Sequence, residues 1–133
     1  MTERIRLVQS TLPPLSSQGL TRREGEQFLP EDFRHEQYLL IQEGDRRILI
    51  SGCSHRGAAL LLQQFQPHVL IGGLHSSRMD PAGAEFMGLC DALDRSGAEI
   101  YTCHCTGQRQ YSALKERLGE RIHHIPTGSC LEI

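Results

Sequence analysis

Between Ile48 and Phe65 the sequence reads ILISGCSHRGAALLLQQF. An apolar run stops at Gly52. Cys53, Ser54 and His55 follow, Gly57 closes the turn, and a leucine-rich stretch begins. A buried strand that turns through glycine into a helix is the repeating unit of a layered α/β fold. The same alternation continues to the end of the chain. Val69 to Ile71 predicts a short buried strand that ends at Gly72-Gly73. Ala82 to Arg95 carries Phe86, Leu89 and Leu93 at helical spacing, and Gly97 sits where a helix stops. Glu99 to Cys103 predicts a strand. A helix then opens at Thr106 or Gly107 and runs to about Leu118, with Gly119 after it. Arg121 to Ile125 and Cys130 to Ile133 predict short final strands.

Upstream, Gln37 to Gln42 and Arg47 to Ser51 are strand-like and flank the turn pair Gly44-Asp45, which predicts an antiparallel hairpin. Ile5 to Val8 predicts a short strand. Ser10 to Pro30 holds Pro13, Pro14, Gly19 and Gly25 with little periodicity, and is expected to be irregular. The chain therefore divides into an irregular segment, 1–30, and an α/β region, 31–133.

The 133 residues suit one domain. Hydrophobic residues make up 38% and aromatics only 5%, so the core should be aliphatic. The net charge is -2, with both signs interspersed, which argues against a nucleic-acid or membrane partner. MTERIRLVQS lacks the apolar core of a secretion signal, and no apolar run is long enough to span a bilayer, so a soluble cytoplasmic protein is expected. Five cysteines, an odd number, then read as buried thiols, metal ligands or reactive groups rather than a disulfide framework.

In α/β folds, sites form where strands run into helices. Three such ends here carry unusual residues: Gly52-Cys53-Ser54-His55, Gly72-Gly73-Leu74-His75 and Cys103-His104-Cys105-Thr106-Gly107. Imidazole and thiolate are preferred ligands of zinc and similar metals, and a metal site draws on several loops at once. No C-x-x-C pair points to a structural zinc finger. Glycine turns at helix starts also suit an anion, with Ser54, Gly57, Thr106 and Gly107 as contributors, although neither a P-loop nor G-x-G-x-x-G is present. A Cys53–His55 nucleophilic pair and a redox pair of Cys103 with Cys105 are further readings. Cys90 and Cys130 read as ordinary thiols, and His68, His123 and His124 as surface or edge residues.

In order, D-F-R-H-E-Q (Asp32 to Gln37), I-S-G-C-S-H-R-G, I-G-G-L-H, C-H-C-T-G and the terminal T-G-S-C-L-E-I resemble the metallo-β-lactamase-fold hydrolases. Within them the similarity is to the branch around dihydropterin-aminobenzene phosphate synthases. The resemblance implies an αβ/βα sandwich with mixed sheets flanked by helices, of which this chain would be the C-terminal half. It implies zinc or another divalent metal. His104, Cys53, His55 and Asp32 would be metal ligands, with His35 an alternative to Asp32 and the choice between Cys53 and His55 open. His75 would line the substrate pocket, and Ser54, Thr106 and Gly107 would join it there. The family signature H-x-H-x-D-H is absent from these 133 residues. The resemblance therefore implies part of a hydrolase of ester-like or phosphorylated small molecules that is inactive alone, without a dinuclear centre of its own. It would pair with a complementary N-terminal half or with a second copy of itself. The alternative is a non-catalytic, self-associating module that binds a metal or anion.

Overall fold

The computed structural model describes residues 4–133. The strands are β1 (Arg4–Val8), β2 (Thr21–Glu24), β3 (Gln27–Pro30), β4 (Tyr38–Glu43), β5 (Arg46–Ile50), β6 (Val69–Ile71), β7 (Glu99–Thr102) and β8 (Ile122–His124). The helices are α1 (Ala58–Phe65), α2 (Ala84–Ser96) and α3 (Gln108–Leu118). Six strands form one mixed sheet in the order β1-β4-β5-β6-β7-β8. β1, β4 and β5 pair antiparallel, and the steps from β5 to β8 are parallel. The architecture is the α/β arrangement expected from the sequence.

Local chemistry explains the main elements. β4 and β5 are joined by Gly44 and Asp45, and Gly44 takes φ 58°, a left-handed conformation that glycine adopts without steric penalty. α2 buries Phe86, Leu89, Cys90 and Leu93, one stripe at helical spacing, and ends on Gly97 at φ 67°. α1 buries Ala58 and all of Leu60 to Leu62. The period-2 alternation of the strands then separates two faces. Leu40, Leu49, Leu70, Ile100 and Ile122 join the side chains of all three helices in the main core.

The opposite face is also apolar. Ile48, Val69 and Tyr101 cluster there with Ile41, Ile50, Ile71 and Ile125. Ile5 and Leu7 extend it, because they pair in register with Ile41 and Leu39. Both are 65% exposed. Among the described residues, this second cluster draws only on strands and on Ile125.

Three expectations need correction. Residues 10–30 are not wholly irregular, since β2 and β3 form a separate antiparallel hairpin there. It is largely solvent-exposed, Phe28 included, so it lacks the regular alternation that marks a half-buried strand in sequence. Cys130 to Ile133 form no strand and are exposed. The helices expected from Arg56 and Ala82 begin two residues later, at Ala58 and Ala84. The stretch before the hairpin is tied down by specific bonds. Ser10 Oγ donates to Gln64 Oε1 (2.6 Å), Leu15 N–H to Arg56 O (3.1 Å) and Gln18 Nε2 to His55 O (2.9 Å).

Candidate functional site

The carboxyl ends of β5, β6 and β7 are laced together by backbone bonds. Ser51 N–H donates to Ile71 O (2.8 Å), Gly72 N–H to Tyr101 O (2.9 Å) and Gly73 N–H to Gly52 O (2.7 Å). Such close approach requires the two glycines. A Cβ on Gly72 would sit 2.2 Å from Ser51 O, and one on Gly73 would sit 2.4 Å from Cys105 Sγ. Each strand end then passes through a non-glycine residue with positive φ: Ser54 (56°), His75 (50°) and His104 (56°). Such conformations are uncommon outside glycine and persist where surrounding bonds over-determine them.

Those bonds are visible. The buried Ser54 hydroxyl pairs with Ser51 Oγ (2.8 Å). Thr106, also buried, accepts the Leu74 N–H on Oγ1 (3.0 Å) and the Ser76 hydroxyl on its carbonyl (2.7 Å). Both hydroxyls expected to face substrate thus hold the turns together. Gly107 precedes α3 at φ 85°, and a Cβ there would lie 2.8 Å from Ser77 Cα.

On this scaffold two imidazoles meet. The rings of His55 and His75 are 4.3 Å apart between centroids and tilted by 51°. His55 also stacks on Phe33 at 5.0 Å and 13°. Both Nδ1 atoms are buried without a hydrogen-bond partner. Burial chiefly, with His55 and then Arg78 nearby, pushes the His75 pKa below its usual value, so its ring is neutral at pH 7. The turn bearing His55 is clamped by Glu36. That carboxylate accepts the N–H groups of His55 (2.7 Å) and Arg56 (3.1 Å) and the Tyr38 hydroxyl (2.5 Å).

Sulfur lines the same rim. Cys105 Sγ accepts the His75 N–H (3.2 Å) and lies 3.5 Å from the Cys53 carbonyl oxygen, to which it donates. His104 lies in a short 3-10 turn, His104–Thr106, and is exposed. Asp32 belongs to a different set of contacts. Arg34 donates to its carboxylate from Nε (2.9 Å) and from the terminal nitrogen (2.7 Å), and Arg22 lies at 3.5 Å. Hydrogen bonding to Arg34 is the main reason its pKa falls to about 2. His35, the alternative to Asp32, is exposed and its ring lies 6.4 Å from Phe33.

The structure therefore gathers Cys53, His55, His75 and Cys105 and engages Asp32 with arginines. Glu36 and Phe33 escaped sequence reasoning as supporting residues. Both stand in the quoted D-F-R-H-E-Q motif, but nothing local shows that a carboxylate there will reach across to residues 55 and 56.

A catalytic zinc takes about three protein ligands. Among the described residues, no three His, Cys, Asp or Glu side chains form a group able to hold a metal ion. The two unpartnered imidazoles are donors of the right kind but too few. The chain by itself does not fit a complete metal centre. Its rim offers two adjoining imidazoles, that of His75 neutral, with Cys105 beside them.

No protein-family model and no curated protein matches the sequence. Among solved structures, the fold matches the crystal structure of Tm1679, a metal-dependent hydrolase of the beta-lactamase superfamily. The TM-score is 0.78 at 24% sequence identity, over 97% of this chain and 53% of that one. The chain thus spans about half the length of the solved structure it resembles. The likeness establishes the fold. Among the described residues, no helix is long and apolar enough to cross a membrane.

Proposed function

We propose that this chain contributes one half of a metal-dependent hydrolase of the beta-lactamase superfamily, and is inactive without a complementary half. The observation that carries this reading is the second apolar face of the sheet, from Ile5 and Leu7 through Ile41, Ile50 and Ile71. An extended apolar face marks an interaction surface, and this one adjoins the strand ends that bear the histidines. The match to about half of Tm1679 supports the same reading. In this proposal His55 and His104 are metal ligands, Cys53 is a candidate third and His75 lines the pocket. The substrate is a small ester or phosphoester, and the absent H-x-H-x-D-H ligands come from the complementary half.

A second reading, a self-associating module without catalysis, draws on the same face. Two copies could cover it mutually.

Zinc binding and hydrolysis of bis(p-nitrophenyl) phosphate separate the readings. The expected result is one weakly held zinc per chain and no turnover alone, with turnover on adding a polypeptide that carries H-x-H-x-D-H. Turnover by the chain alone overturns the requirement for a second half. Absence of zinc binding overturns the metal reading. A stable dimer that never gains turnover favours the second reading.

A further inference from the structure

Cys53 and Cys105 come from separate turns, after β5 and after β7, yet their sulfurs share one corner of the rim. The position of Cys105 Sγ is fixed from three sides. The His75 N–H donates to it at 3.2 Å, it donates to Cys53 O at 3.5 Å, and it fills the space where a Cβ on Gly73 would stand, 2.4 Å away. Cys53 is thus its neighbour through the backbone, and the Cys53 thiol is close enough to help push the Cys105 pKa up. All five cysteines are free thiols in the structure.

We propose that Cys53 and Cys105 are a redox pair that forms a reversible disulfide across the rim, with a glutathione-type disulfide as oxidant. Both thiols are half-buried, and Cys53 is the one assigned to attack first. Its thiolate attacks one sulfur of the oxidant, forms a Cys53–glutathione mixed disulfide and releases one glutathione. Cys105 then attacks the Cys53 sulfur and expels the second glutathione as thiolate, which takes up the Cys105 proton. The two protein thiols lose two electrons in total, and one oxidant disulfide becomes two thiols.

The bridge would staple the turn bearing His55 to the turn bearing His104 and withdraw the Cys53 sulfur as a candidate metal ligand. The thiol readout stands apart from the hydrolase reading and can fail without it.

The test uses the full chain carrying Cys130→Ser, which removes the exposed thiol and leaves four of the five cysteines. After exposure to oxidised glutathione and labelling in denaturant, which opens the buried Cys90, the number of N-ethylmaleimide adducts should fall from four to two. Tryptic peptide 48–56 should be joined to peptide 96–109, and dithiothreitol should restore the adducts. Adding Cys103→Ser should preserve the link. Adding Cys105→Ser should halt the reaction at glutathionylated Cys53. An unchanged adduct count, a stable mixed disulfide with Cys105 present, or a link that survives Cys105→Ser overturns the proposal.

Discussion

Gly73 shows how narrowly the site is determined at the level of single residues. Its missing side chain makes room for Cys105 Sγ and for Gly52 O, 3.1 Å from where a Cβ would be. Gly73→Ala should therefore destabilise the fold by about 1–3 kcal/mol, as overpacking does. Gly88 is the contrast. It lies exposed within α2, and a Cβ added there would meet nothing within 4 Å, so Gly88→Ala should stabilise by about 0.5–1 kcal/mol. Urea unfolding of the two variants checks both signs. Cys105 adds a pH dependence. Burial pushes its thiol from 9.0 up to about 11, so the folded state favours the protonated form. Stability from this group is full below pH 9 and is lost as pH rises through about 11, because the unfolded thiol ionises first. In the reduced protein without metal, the decline over that interval should be smaller in Cys105→Ala.

At the scale of elements, the parallel core was legible in the sequence because strand, glycine and helix follow one another with clear periods. The β4–β5 hairpin was legible from Gly44-Asp45. The β2–β3 hairpin was not, because TRRE and QFLP have no buried face to impose a pattern. Of the site, the three strand ends were legible as clusters of histidine, cysteine and glycine. The pairing of His55 with His75 and the roles of Ser54 and Thr106 as internal braces depend on contacts between residues far apart in the chain. Glu36 is the clearest example, joining the entry to β4 to the start of α1 through one carboxylate. Glu36→Gln keeps one acceptor oxygen but presents an amide to the remaining donors. It should lower stability by about 1–3 kcal/mol, and chemical-shift changes at His55 should exceed those at His123, whose partner is Glu99 (3.0 Å).

For the whole molecule, the helix-covered face is a finished core, whereas the other face is apolar and carries exposed Ile5 and Leu7 at the sheet edge. The proposed association should weaken when that edge is charged. Leu7→Lys should lower the dimer fraction in sedimentation equilibrium while changing monomer stability by no more than about 0.5 kcal/mol, as expected for an exposed position. Unchanged association would place the contact elsewhere. If the strand-end rim is one side of a metal site completed from outside this chain, the decisive measurement is native mass spectrometry with saturating zinc, run on the chain alone, on the chain with a polypeptide carrying H-x-H-x-D-H, and on that pair with His55→Ala or His104→Ala. More zinc is expected on the pair than on the chain alone, with the gain lost in both variants. No gain on adding the second polypeptide, or the same gain in either variant, is the opposite result.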